Sequence, residues 1–139
     1  MTGKDRTLVI IKPDGVERGL VGSLIARFED KGLRMVGLRL VSLTPQIAGR
    51  LYEEHRGKGF YDRLIRYITS GPVVAMMLEG DGATAIARGL IGDTDPKKAL
   101  PGTIRGDYAS SIDKNLIHAS DSETSARQEI PLFFSLTNK

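Results

Sequence analysis

The sequence predicts an α+β fold in which helices cover a four-stranded sheet. Four short apolar runs have the length of strands, and segments with apolar residues at helical spacing lie between them. Gly and Pro residues mark the boundaries between these segments. Of the 139 residues, 40% are hydrophobic and 27% are charged, which is typical of a globular protein. We expect residues 1–139 to form a single domain.

The first strand, helix and second strand are predicted in the first 41 residues. Residues 8–11, LVII, form a continuous apolar run typical of a buried strand, which ends in a turn. Apolar residues then recur at helical spacing until Gly32, a typical helix stop. Residues 33–41 predict the second strand, in which Gly37 favours a bulge.

A pair of short helices and a third strand follow. Thr44 before Pro45 has the pattern of a cap and a first-turn proline, so a helix is predicted to begin there. A second short helix is predicted at residues 61–68, where apolar residues again recur at helical spacing. Residues 73–79, VVAMMLE, predict the third strand.

The last part of the chain is predicted to hold a helix, a long loop, a short strand and a final helix. We expect Asp81 to cap the first of these helices. Residues 92–114 contain prolines, glycines and no clear periodicity, and such long loops in compact domains are usually functional or disordered. Residues 116–119 predict the fourth strand. Ser120 and Glu123 then have the spacing of a capping box.

This order of elements favours a ferredoxin-like fold. It fits a mixed four-stranded sheet with a βαββαβ core, an extra helical pair and a long loop before the last strand. The chain has no cysteine, which excludes disulfides and thiolate metal sites. No apolar segment reaches the length of a membrane span, and we expect a cytoplasmic protein. The net charge of +3 is too small to require a nucleic-acid partner.

Three cationic residues stand where their side chains could gather around an anion. Lys12 directly follows the first strand, Arg88 lies on the helix after the third strand, and Arg105 lies between glycines in the long loop. With the hydroxyl of Thr94, they could hold phosphate groups through side chains. The glycine-rich phosphate loop G-x-x-x-x-G-K-[ST] is absent from the sequence.

His118 has more informative surroundings than the other histidine. Asn115 precedes it, Ser120 follows it, and Glu129 lies on the next helix. A lone histidine beside an apolar strand is more often a core residue, so these polar neighbours are what favour a functional role. His55 lies among charged residues and is expected on the surface.

Two other segments leave RNA and a dinucleotide open as ligands. Lys58-Gly59-Phe60 matches the opening of the RNA-recognition octamer, and basic and aromatic residues interleave from His55 to Tyr67. The match fails at residues 61–62, and the segment favours a helix rather than a central strand. Residues 80–85 half-match a dinucleotide-binding fingerprint, but the position of its required acidic residue falls inside the long loop.

Four segments resemble signatures of the nucleoside diphosphate kinases: IIKPDGVERGLVG, SGPVVAM, PGTIRGDY and NLIHASDS. They stand in the family's order and spacing, and the resemblance covers nearly the whole chain. It implies a ferredoxin-like protomer in a homo-oligomer, with a hexamer expected ahead of a tetramer. It also implies transfer of the γ-phosphoryl group of a nucleoside triphosphate to a nucleoside diphosphate, with Mg²⁺ as the cofactor.

The resemblance also assigns roles by motif position. His118 corresponds to the phosphorylated nucleophile, Glu129 to the carboxylate that orients its ring, and Ser120 to a close neighbour of that pair. The residues that would hold the sugar and phosphates are Lys12, Tyr52, Arg88, Thr94, Arg105 and Asn115. Lys12 and Tyr52 are also expected to take part in catalysis. Phe60 would stack on the base. No protein ligand to Mg²⁺ is expected, since the ion would arrive with the nucleotide.

Two positions depart from the family's pattern. Gly59 precedes Phe60 where proline is usual, which we expect to loosen the loop that aims the stacking ring. Asp113-Lys114 precedes Asn115 where Gly-Arg is usual, so that turn is expected to have a different shape.

An imidazole suits this reaction. One phosphoanhydride is exchanged for another, so a covalent intermediate must be nearly as labile as the triphosphate, and a phosphoserine would be too stable. Free imidazole, with a reference pKa of about 6.5, is mostly uncharged at pH 7 and attacks without a general base. Glu129 would therefore act as orienter. Donor and acceptor would use one pocket in turn, and stacking suits every base, so ping-pong kinetics and broad base specificity are predicted.

Overall fold

The computed structural model describes residues 5–109, 111 and 114–134. The strands are β1 (Asp5–Ile11), β2 (Arg34–Val41), β3 (Val73–Gly80) and β4 (Ile117–Ala119). The helices are α1 (Pro13–Glu17), α2 (Val21–Asp30), α3 (Pro45–Leu51), α4 (Tyr61–Ile68), α5 (Ala83–Ile91), α6 (Ile104–Tyr108) and α7 (Glu123–Phe133), with a 3₁₀ turn at Glu53–His55. Within these described ranges, no helix is long and apolar enough to cross a membrane.

The strands form one sheet in the order β2-β3-β1-β4. The predicted α+β class, the βαββαβ order and the extra helical pair, α3 and α4, are confirmed. The prediction of a mixed sheet is wrong, because all three strand pairings are antiparallel. Each helical crossover skips one position in the sheet, and the strand that fills the gap runs in the opposite direction.

The alternation of side chains along the central strand β1 divides the core into two layers. Val9 and Ile11 face α2 and α5, while Leu8 and Ile10 face α3, α4 and α7. All four side chains are fully buried. Burial on both faces of the sheet explains why their run in the sequence contains no polar residue.

Three local features of the first 90 residues were open to test. The register of β2 shifts between Met35 and Gly37, which confirms the predicted bulge. Thr44 caps α3 as predicted. Asp81 does not cap α5: the N-cap is Gly82, whose positive φ of 68° suits a residue without a Cβ.

The capping box at Ser120 is also wrong. The N-cap of α7 is Ser122, whose Oγ accepts a hydrogen bond from the Ser125 N–H at 3.1 Å. Ser120 is instead fully buried, and its Oγ donates to Glu129. The hydroxyl that the spacing assigned to a helix end is therefore bonded to the carboxylate that also contacts His118.

The long loop contains α6, which the sequence did not reveal because one turn of helix is too short to show periodicity. Thr103 caps it by accepting from the Gly106 N–H at 3.0 Å. Gly92, at the end of α5, has a φ of 87°, and a Cβ there would lie 2.5 Å from the Thr103 side chain. A glycine is therefore required at this turn. The predicted departure at Asp113 lies outside the described residues.

Candidate active site

One cleft gathers nearly all of the predicted site residues. It has a volume of about 430 Å³, which is within the range of small-molecule sites, and it lies where β1 ends and β4 begins. The predicted residues that line it are Lys12, Tyr52, Phe60, Arg88, Thr94, Arg105, Asn115, His118 and Glu129. Ser120 lies behind this wall, fully buried.

Strand alternation directs His118 into the cleft. Its neighbours Ile117 and Ala119 pack in the layer of α2 and α5, so His118 projects from the opposite face of the sheet, towards α7. Its Nε2 lies 3.0 Å from Glu129 Oε1, and its side chain is 16% exposed. Since the carboxylate engages Nε2, Nδ1 is the ring nitrogen left to react with a ligand in the cleft.

Glu129 is held from a second direction. Ser120 Oγ donates to the same carboxylate oxygen at 2.7 Å, and the Ser120 N–H donates to the carbonyl of Leu8 in β1 at 3.0 Å. Tyr52 packs its ring edge-on against His118, with the centroids 5.9 Å apart and the planes at 89°. The imidazole is therefore fixed both by a hydrogen bond and by packing. Burial raises the pKa of Tyr52, so its hydroxyl stays protonated at neutral pH.

Lys12 is a buried amine held by Asn115. Its Nζ donates to Asn115 Oδ1 at 2.8 Å, and Asn115 Nδ2 donates to the Thr94 carbonyl at 3.3 Å. Burial, and after it the like charge of Arg105, lowers the pKa of Lys12 to about 7. A bound anion would favour the ammonium form, so we expect Lys12 to be protonated when phosphate is present.

The backbone is strained at Leu116, which lies between Asn115 and the first residue of β4. Leu116 has a φ of 83° and is the one non-glycine residue with a positive φ in the part of the chain that the structure describes. Its side chain is fully buried, and its carbonyl accepts from the Lys12 N–H at 2.9 Å. Non-glycine residues in this conformation cost on the order of 1–3 kcal/mol and cluster at functional sites. The turn also explains why β4 begins at Ile117, one residue later than predicted.

The two arginines are held differently. Arg105 is only 4% exposed and donates to the carbonyls of Gly92 and Ile117 at 3.0 and 2.7 Å. Burial, and after it the charge of Arg88, lowers the pKa of Arg105 to about 10, which leaves it cationic at pH 7. Arg88 is more exposed, and its Nη1 lies 3.2 Å from Asp121 Oδ1.

Phe60 stands at the open end of the cleft. It is 38% exposed, and its ring centroid lies 5.3 Å from that of His55. His55 was expected on the surface, but it lines the cleft and its side chain is 27% exposed. Lys58-Gly59-Phe60 forms a turn before α4, whereas the RNA-recognition octamer lies on a central strand, so the structure gives that match no support.

Buried cations around a carboxylate-oriented imidazole define a protein that handles phosphate-bearing ligands. The chain matches the family model for nucleoside diphosphate kinase over residues 5–138. It is 59% identical to the nucleoside diphosphate kinase of Sulfurisphaera tokodaii over 129 residues, 93% of this chain and 88% of the relative. For the enzyme of Saccharolobus solfataricus the identity is 57%, over 93% of this chain and 94% of the relative.

Solved structures agree with these relatives. A crystal form of the Aquifex aeolicus nucleoside diphosphate kinase superposes with a TM-score of 0.92 at 41% identity, covering 96% of this chain and 97% of that one. The enzyme of Encephalitozoon cuniculi also gives a TM-score of 0.92, at 39% identity, covering 94% and 88%. This chain belongs to the nucleoside diphosphate kinase family.

Among the described residues, six that line the cleft were not predicted as site residues: Leu51, Glu54, His55, Arg63, Leu64 and Asp121. His55 lies in a 3₁₀ turn, where the apolar periodicity that marks a buried face is absent. Asp121 lines the cleft and pairs with Arg88, but as one acidic residue among several in a loop it gave no signal. The positions of His55 and Asp121 in the cleft depend on contacts that form only when the chain folds. For His55, the interleaved aromatic residues nearby were the one available hint.

Proposed function

We propose that this chain transfers the γ-phosphoryl group of a nucleoside triphosphate to a nucleoside diphosphate, with His118 as the covalent carrier. One observation carries the proposal: a mostly buried imidazole, fixed through Nε2 by Glu129, shares its cleft with Lys12, Arg88 and Arg105. Such a ring presents its Nδ1 to a space lined by basic side chains.

In the first half-reaction, His118 Nδ1 attacks the γ-phosphorus of the bound triphosphate. The bond from that phosphorus to the β,γ-bridging oxygen breaks, and the nucleoside diphosphate leaves with the electron pair. In the second half-reaction, a terminal oxygen of another diphosphate attacks the phosphohistidine and restores the free ring. Glu129 stabilises the positive charge that develops on the ring through its 3.0 Å contact with Nε2.

The cations contribute positioning and charge stabilisation. Phosphoryl transfer leaves a protein little covalent chemistry beyond the nucleophile, so orientation and charge decide the rate. Well-oriented attack supplies roughly 7–11 kcal/mol relative to a bimolecular reaction. Arg105 is held by two backbone carbonyls, so its guanidinium needs little reorganisation when a phosphate arrives.

The donor set of the cleft suits Mg²⁺ that is carried by the nucleotide. Within the described residues, no group of three or more His, Cys, Asp and Glu side chains could hold a metal. Three of the described carboxylates line the cleft: Glu129 is engaged by His118, Asp121 by Arg88, and Glu54 lies 3.7 Å from His55. Bound to phosphate oxygens, Mg²⁺ would neutralise part of their charge.

The remaining expectations form part of the same proposal. The partners are nucleoside di- and triphosphates of any base, since Phe60 offers a stacking surface without base-specific hydrogen bonds. A second role with nucleic acid would be secondary. We expect a homo-oligomer, a hexamer ahead of a tetramer, built from single-domain chains in the cytoplasm.

A labelling experiment tests the proposal. The protein is incubated with γ-³²P-ATP without acceptor, and we expect acid-labile label that a nucleoside diphosphate then removes. His118→Ala should lose the label and reduce turnover on the order of 10⁴-fold or more, as removal of a covalent nucleophile does. His55→Ala, which removes the other imidazole of the chain, should still be labelled. Equal labelling of His118→Ala and the wild type would overturn the assignment.

A further inference from the structure

The turn that carries Phe60 has a glycine at a position where proline would fix the backbone. The Tyr61 N–H donates to the Lys58 carbonyl at 3.0 Å, and Phe60 has φ −89° and ψ −1°, which are the values of the third residue of a type I turn. Gly59 therefore occupies the second position, where proline is favoured because its φ is already set. With glycine there, the backbone leaves the direction of the Phe60 ring weakly determined.

His55 connects this turn to a fixed part of the core. Its ring lies between those of Tyr52 and Phe60, at centroid distances of 6.0 and 5.3 Å. The backbone follows the same path: the His55 N–H donates to the Tyr52 carbonyl at 2.9 Å, and the Lys58 N–H donates to the His55 carbonyl at 3.0 Å. Tyr52 is 5% exposed and packs against His118, so the ring of His55 rests on a rigid neighbour.

Charged groups flank both edges of the His55 ring. Lys58 Nζ lies 3.3 Å from His55 Nδ1 and 5.8 Å from the centroid of the Phe60 ring. An ammonium group can only donate, so Nδ1 is the acceptor when this contact is a hydrogen bond. On the other edge, Nε2 lies 3.7 Å from Glu54 Oε2. Between these groups, the imidazole packs at 59° to the ring of Phe60.

We propose that His55 is a positioning residue for the base: its ring, clamped by Lys58 and backed by Tyr52, holds Phe60 in the stacking orientation that Gly59 leaves undetermined. This inference rests on the proposed function, since it takes the cleft to bind nucleotides with the base at Phe60. It adds a residue that acts on nucleotide binding through Phe60 and leaves the transfer step at His118 unaffected.

Substitution of His55 should separate binding from chemistry. Aromatic pairs contribute a factor of about 3 to 10 in an equilibrium constant, so His55→Ala should raise the Kd and KM for ADP and GDP by that factor, with kcat within about twofold. His55→Phe keeps the ring and loses the Lys58 contact, and it should recover most of the loss. Arg66→Ala, an exposed cation on α4 away from the cleft, is the control for general surface changes.

Two further measurements test whether His55 acts through Phe60. In a Phe60→Ala background, which itself weakens nucleotide binding, His55→Ala should have no further effect, because the ring it supports is gone. Binding of inorganic tripolyphosphate, which lacks a base, should be the same in wild type and His55→Ala. Additive losses in the double variant, or an equal loss for tripolyphosphate, would overturn the proposal. Failure of the wild type to label His118 would instead count against the proposed function, and thermal unfolding identifies any variant that fails to fold.

Discussion

The two ends of the cleft are built in different ways. At the phosphate end, Lys12, Arg105 and His118 are buried or nearly so, and each is held by a hydrogen bond to a neighbouring carbonyl, amide or carboxylate. At the base end, Phe60 is 38% exposed and stands on a turn. In the proposed function, rigid polar networks would lie where bonds are made and broken, and an adaptable ring would lie where different bases must be accepted.

After the loss of His118 itself, the largest effect is expected from the other residues of the rigid end. Arg105→Ala removes a buried cation, and a single arginine in phosphoryl transfer accounts for about 10³–10⁵ in rate. We expect kcat/KM to fall on the order of 10³-fold. The variant should also be less stable, because the carbonyls of Gly92 and Ile117 lose their donor.

Arg27→Ala is the matched control, since it removes an ion pair to α6 outside the cleft. Arg27 lies 2.8 Å from Asp107 at partial exposure, and such pairs contribute less than about 1 kcal/mol. Steady-state kinetics and urea unfolding of both variants separate catalysis from stability. A similar loss of activity in both would show that disturbance of α6, rather than the lost guanidinium, is responsible.

A smaller effect is expected from the carboxylate behind the histidine. Glu129→Gln keeps an oxygen that can accept from the ring and from Ser120, but it removes the charge that stabilises the imidazolium. Hydrogen bonds to charged groups contribute about 1.5–3 kcal/mol, so kcat should fall by about 10- to 100-fold. The rate of His118 labelling in rapid-quench experiments measures this directly. Glu123→Gln, at the exposed start of α7, should label at the wild-type rate.

The next prediction concerns protons at the rigid end. The pKa of Lys12 is lowered to about 7 from a reference value of 10.5, so at pH 8 most molecules with a free cleft carry the neutral amine. Phosphate favours the ammonium form, so nucleotide binding at pH 8 should take up protons, and affinity should fall as pH rises above 7. Titration calorimetry in buffers of different ionisation enthalpy measures this. Net proton release would contradict the low pKa.

The smallest effect is expected at the base end. Gly59→Pro should stabilise the protein by about 0.4–1 kcal/mol, because it restricts the unfolded chain at a turn position that proline fits. A Cβ at Gly59 meets open space. Gly57→Pro is the matched control two residues away: Gly57 has a φ of 87°, which proline cannot adopt, so that variant should be destabilised. Thermal denaturation compares the two, and stabilisation by both would refute the turn assignment.

Patterns that repeat along the chain predicted the fold well. The run LVII, followed by Pro13 and Gly15, predicted a buried strand because a central strand buries both faces. Strand direction was mistaken, since it depends on which strand fills the gap beneath each crossover, and no local pattern encodes this. Ser120 and Ser122 show the same limit: both stand near the start of α7, and burial decided which one became the cap.

The candidate site was predictable where residues lie in distinctive segments. NLIHASDS placed Asn115 and His118 together before any geometry was known. Arg105 was predicted to hold phosphate, and it lines the cleft. Its burial on α6 was not foreseen, because its carbonyl partners belong to Gly92 and Ile117, which are distant in sequence. His55 was not predicted as a site residue, because its ring contacts with Tyr52 and Phe60 are set by the fold and leave only a weak hint in the sequence.

The contact between Glu129 and Nε2 has a consequence for the chemical identity of the adduct. Imidazole has two nitrogens and can give two isomeric phosphoramidates, which differ in their resistance to hydrolysis and in their NMR signatures. With one nitrogen engaged by a carboxylate at 3.0 Å, the proposed mechanism would give a single regiochemistry, phosphorylation at the nitrogen nearer the backbone. The isomer isolated from a quenched enzyme would therefore record which edge of the ring faced the nucleotide.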